Sequence, residues 1–160
     1  VTVQPTTVVE FRIDDTTEVL AIMAEMAAAH AGWLNFQPDV AVEDVPDTGS
    51  PFGRLLTATG PPVPLGSWVP GPQRRGSVEP TSLGLQHPGG GRAVRRLRDA
   101  GIVVPDGWKV QGDHPRRGLV LSLPDGTDPA LALDWMIRAA VELTDLTLPA
   151  VWRAAVYRPS

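Results

Sequence analysis

Prolines and glycines constrain this chain more than any other feature. Seventeen prolines and sixteen glycines are spread through 160 residues. Each proline removes a backbone donor and each glycine invites a turn, so the sequence reads as short elements joined by many loops, not as a helix bundle. Only two stretches are free enough of both residues to form long helices.

The first follows Thr7-Val8-Val9-Glu10-Phe11-Arg12-Ile13, whose alternation predicts a strand. Asp15-Thr16-Thr17-Glu18 then resembles a capping box, and Val19, Leu20, Ile22, Met23, Met26, Ala27 and His30 recur at helical spacing up to about Ala31. Gly32 is the expected stop. The second follows Gly118 to Leu123, a predicted strand, where Asp128-Pro129 offers an N-cap acceptor and a proline at the first helical position. That helix is expected to run to about Leu143, with Leu133, Met136, Ile137 and Ala140 inward. The two strand–helix units echo one another in shape without sharing sequence.

Between them the pattern is broken. Residues 34–53 read mostly as loop, with at most a short strand near Val40-Ala41-Val42. Leu55 to Val69 holds strand-like pieces cut by Pro61, Pro62 and Pro64, which suits an edge strand or an extended loop. Ser77 to Gln86 is a strand interrupted at Pro80, and Arg92 to Ala100 is a short helix stopped by Gly101. Trp108–Gln111 and Gly118–Leu123 form a hairpin with a long loop, and residues 150–157 lean towards a last strand. The expected fold is a single α+β domain over residues 1–160. It is a two-layer sandwich of an antiparallel or mixed sheet, about five or six strands, with two long helices and one short helix on it.

Composition narrows function only by exclusion. Cysteine is absent, which removes disulfides, thiolate metal sites and cysteine nucleophiles. No run is long and apolar enough to span a membrane, and no signal segment is visible, so a cytoplasmic location is the default expectation. The chain starts at Val1, which trimming, processing or an unusual start codon would each explain. Residues 1–50 carry nine acids and one base, whereas residues 72–120 carry nine bases and four acids inside a chain of net charge −4. That basic middle either steers an anionic partner or pairs with the acidic N-terminal part.

The most informative stretch is Gln86-His87-Pro88-Gly89-Gly90-Gly91-Arg92-Ala93-Val94-Arg95-Arg96-Leu97. A glycine turn entering a helix exposes backbone amides, and Gly90 and Gly91 are the expected cradle. The first helical turn holds no acid but has Arg92, Arg95 and Arg96, cations that cost about 0.3–1 kcal/mol each at a helix N-terminus. A bound phosphate or carboxylate would remove that cost. The spacing matches neither a P-loop nor the dinucleotide fingerprint, so it names no cofactor. The bland alternative is a solvated arginine face behind an ordinary glycine loop.

A second cluster is Asp113-His114-Pro115-Arg116-Arg117. His87 and His114 both precede proline, which places them on loops or strand ends. With Asp113 they form a candidate acid–base set, or an incomplete metal site; no metal-ligand spacing is present. Otherwise His114 and Arg116 simply brace a hairpin loop. Of five tryptophans, Trp33, Trp68 and Trp108 lie in or beside loops, where stacking on a ligand competes with the commoner role of covering a core. A pI near 5.3 and the lack of any known binding motif argue against nucleic acid.

Three functions remain as expectations. The first is a non-enzymatic module binding an anionic small molecule or acidic protein segment through Gly90, Gly91, Arg92, Arg95, Arg96, Arg116 and Arg117. The second is a small enzyme using His87 or His114 as general acid–base, with Asp113 nearby, on an anionic substrate. The third is a structural interaction module, such as a homodimer joined through a sheet edge.

Overall fold

The structure, a computed structural model, describes residues 3–45 and 59–160. The parts of the loop and strand expectations that fall on residues 46–58 lie outside the described residues.

Among the described residues nine strands and three α-helices follow one another: β1 Thr7–Arg12, α1 Thr17–Ala29, β2 Trp33–Pro38, β3 Leu65–Val69, β4 Gln73–Arg74, β5 Ser77–Val78, β6 Thr81–Gln86, α2 Ala93–Asp99, β7 Lys109–His114, β8 Gly118–Leu123, α3 Pro129–Glu142 and β9 Val151–Tyr157. Seven strands form one sheet in the order β1-β9-β2-β3-β6-β8-β7, and β4 and β5 form a separate ribbon. Every pair in the large sheet is antiparallel. The fold is thus α+β as expected, with a larger sheet. Its long helices are 13 and 14 residues. No helix among the described residues is long and apolar enough to cross a membrane.

The last strand decides the order. β9 sits between β1 and β2, so those two strands run parallel with a third between them, and α1 carries the chain over the gap. One hydrophobic cluster joins Met23 and Met26 of α1, Leu97 of α2 and Leu133, Met136 and Ala140 of α3 to Phe11, Phe36, Trp68, Leu83, Leu121 and Trp152 of the sheet. Those sheet residues share one face, because register pairs Phe11 with Trp152, Leu34 with Trp68, Trp68 with Leu83 and Leu83 with Leu121. Gly66 lies on that face, where a Cβ would come within 2.1 Å of Met136 Sδ, so α3 packs closely only because the position is glycine.

Several local expectations are corrected. Leu65–Val69 is an interior strand between β2 and β6, not an edge strand or extended loop. β7 runs on to His114, so the hairpin turn is Pro115–Arg117 and not a long loop. Trp33–Pro38 is a strand, not loop: Leu34, Phe36 and Pro38 are buried on alternate positions, a period hidden by the surrounding Pro and Asp. Residues 40–41 are not a strand, and Val42–Asp44 is a 3-10 turn. The capping box of α1 does not close. Thr16 is the N-cap without a side-chain bond, and Asp15 Oδ1 instead accepts from the Thr17 amide at 3.4 Å and hydroxyl at 2.9 Å. The helix ends at Ala29, with His30 left-handed and its Nδ1 bonded to the Gly71 carbonyl at 3.1 Å.

Four of the five tryptophans are core or near-core. Trp68 and Trp152 are buried, and Trp108 packs edge-on against Trp135, whose Nε1–H donates to the Val103 carbonyl at 2.9 Å. Trp33 is half-buried and stacks on Tyr157 with ring centres 4.8 Å apart. No tryptophan lines the arginine cleft described next.

Candidate functional site

The corner of interest begins where β6 ends. His87 turns inward and is fully buried, while Pro88, Gly89 and Gly90 cover it as a half-buried turn. Its Nδ1 accepts the Gly89 amide at 3.1 Å. An accepting Nδ1 carries no proton, so the neutral ring holds its proton on Nε2. Nε2 has no partner among the described residues. Burial holds the His87 pKa below the ordinary histidine value; the Asp113 charge opposes that and the Arg96 charge adds to it.

The three glycines have three different jobs. At Gly89 a Cβ would sit 3.1 to 3.3 Å from the Leu143 carbonyl, His87 Nδ1 and Arg96 Nη1, so this glycine allows close packing. Gly90 supplies a positive φ of 79°, which makes the turn. Gly91 lies against Pro115, 3.7 Å from the position a Cβ would take, and so brings the β7–β8 turn beside the glycine turn.

Two of the amides expected to be open are not. Asp113 takes them: Oδ1 accepts from Ala93 N–H and Oδ2 from Val94 N–H, both at 3.1 Å. The carboxylate reaches α2 because of an irregularity in β7. Register shifts between Val110, which faces Leu121, and Gly112, which faces Val120. The extra residue, Gln111, moves Asp113 opposite Leu119 on the helix-covered face; unbroken alternation would have turned it to the other side. α2 is therefore capped from within the chain, and its Ala93 and Val94 amides are taken by Asp113.

The arginines do converge. Arg92, Arg95 and Arg96 line one cleft of about 650 Å³, open to solvent and completed by Asp99, Ala100 and Glu142. Arg92 is the N-cap of α2 and adopts a left-handed φ of 60°. Arg96 is held: Nη2 donates to the Glu142 carbonyl, and Nε lies 3.8 Å from Glu142 Oε1. That contact ties α2 to the negative end of α3. Arg92 and Arg95 have no carboxylate within ion-pair distance among the described residues, and neither have Arg116 and Arg117. The latter two stand on the neighbouring β7–β8 turn and do not line the cleft.

The alternative that acidic and basic parts cancel is answered by the same pairs. The N-terminal acids that form cross-chain ion pairs meet arginines of β9 and the tail: Arg153–Asp39 at 3.3 Å and Arg158–Glu25 at 2.7 Å. None of the ion pairs among the described residues joins an N-terminal acid to the glycine-turn arginines.

His114 braces its own turn. Its Nδ1 accepts from the amides of Arg116 and Arg117 at 3.1 and 3.2 Å. Among the described residues neither His87 nor His114 is hydrogen-bonded to a carboxylate, and Asp113 is engaged as a cap. No group of three or more possible metal ligands occurs among the described residues.

Sequence reasoning missed Asp99 and Glu142 as members of the cleft, and Asp113 as a cap. Asp99 sat within reach, on the same short helix. Glu142 and Asp113 arrive from α3 and β7, 46 and 20 residues from their partners, and no local signal marks them. Comparison with the models of known protein families, with curated proteins and with solved structures finds no match.

Proposed function

We propose that the chain is a non-enzymatic module that binds anionic groups, foremost an acidic protein segment, in the cleft of Arg92, Arg95 and Arg96, with Arg116 and Arg117 beside it. One observation carries this reading: the arginines gathered around the glycine turn include four without an ion-pair partner among the described residues. The openness of the cleft favours an extended chain over a small molecule, which is ordinarily enclosed by mostly apolar walls. Among the described residues no hydrogen bond joins His87 or His114 to a carboxylate, which favours the binding reading over the enzymatic one.

The test is fluorescence anisotropy with a labelled Glu/Asp-rich peptide, and with sucrose octasulfate as competitor. Affinity is expected to fall about tenfold or more on combining Arg92→Glu with Arg95→Glu, and to weaken steeply with salt. Unchanged affinity in the double variant removes the reading, and so does failure of both probes to bind the unaltered protein.

A further inference from the structure

We propose that His87 is a proton-operated switch for the arginine cleft, an inference that rests on the anion-binding reading. With its ring neutral, His87 holds the glycine turn through the Gly89 amide. With its ring protonated at Nδ1, it releases that amide and competes with α2 for Asp113.

The geometry behind this is a chain of contacts. His87 Nδ1 receives the Gly89 N–H at 3.1 Å, and a proton placed there leaves two donors facing each other. Two charged groups act on the ring: Asp113 from β7 and Arg96 from α2. Backbone lies close as well: Gly60 lies against the His87 main chain, and the Leu143 carbonyl from the end of α3 lies against Gly89. A new imidazolium is drawn to Asp113, whose two oxygens cap Ala93 and Val94, and is repelled by Arg96, whose side chain joins the cleft to α3. One proton therefore disturbs the turn before Arg92, the cap beneath Arg95 and the anchor of Arg96 together.

The sign separates this from simple electrostatics. Arginine stays charged throughout the range, and protonating Asp99 or Glu142 would only make the cleft more positive, so charge alone predicts anion binding that is level or tighter in acid. The switch predicts the reverse. It also predicts a loss of stability. Burial lowers the folded-state pKa, so the neutral ring's contribution is whole above the unfolded value of about 6.5 and is lost as pH falls through the lowered folded value.

The experiment titrates sucrose octasulfate, whose sulfates stay ionised, into the full chain by calorimetry from about pH 7.5 to about pH 5. In parallel, NMR follows the His87 ring nitrogens and the Gly89 amide. Binding is expected to weaken about tenfold across that range, with His87 and Gly89 sharing one midpoint. His87→Asn keeps an acceptor near the Nδ1 position and cannot titrate, so its affinity is expected to stay level. Binding that holds or tightens in acid while His87 titrates overturns the proposal, as does a ring that stays neutral down to about pH 5. If octasulfate binds at neither end, the cleft reading fails, and the switch is still judged by whether Gly89 moves with His87. Separate midpoints sink it, and this readout decides the matter even if His87→Asn does not fold.

Discussion

α2 and α3 are both capped by an aspartate, and the two caps differ in where the aspartate comes from. α3 is capped by its own N-cap residue: Asp128 Oδ1 accepts from the Ala130 amide at 2.9 Å, with Pro129 next in line. α2 has an arginine at its N-cap, in a left-handed conformation, and borrows Asp113 from β7. The first cap is a local event that can form as the helix forms. The second needs the sheet, the bulge at Gln111 and the glycine turn to be in place already. A borrowed cap frees the N-cap position for another use, and here that position presents Arg92 to the cleft.

If the borrowed cap is the keystone of that corner, Asp113→Ala should be the most costly change in either helix start. It leaves two amides, one on the buried Ala93, without their charged acceptor, and about 2–3 kcal/mol of stability should be lost in chemical denaturation. The loss should be accompanied by faster amide exchange at Ala93 and Val94. Asp128→Ala should cost less, about 1 kcal/mol, because the freed amide at an exposed helix start can turn to water. Equal losses for the two would break the comparison. The smallest effect should have the opposite sign. Arg92→Gly relieves a left-handed side-chain-bearing residue and should raise the stability by about 0.5 kcal/mol while weakening anion binding. A variant that is stabilised yet binds as before would show that Arg92 holds its place for no functional reason.

How much of this was readable beforehand depends on the range of the interaction. The strand Gly118–Leu123, the start of α3 at Asp128-Pro129 and the short helix stopped before Gly101 were all legible, because period-two burial, proline geometry and glycine act over a few residues. β2 was legible in principle, since Leu34, Phe36 and Pro38 alternate, but the Pro- and Asp-rich company of the segment outweighed the period. At the site, Arg92, Arg95 and Arg96 were found together because neighbours on one helical turn share a face. The capping of Ala93 and Val94 by Asp113 was not legible, because nothing local reveals a carboxylate arriving from another strand. His114 met the plainer of its two readings, as a brace for its turn.

By itself, then, the sequence determined the α+β character, the two long helices and a cluster of cations behind a glycine turn. These follow from periodicity, turn chemistry and composition, all of them properties of short windows. The tertiary structure alone decided that β9 enters the sheet between β1 and β2, that Asp113 caps α2, that His87 is buried and that Glu142 holds Arg96. Those outcomes depend on which surfaces pack and on the one-residue shift in β7. Such choices are made by the whole core at once, because a side chain's face and partner are settled only when its strand has a register.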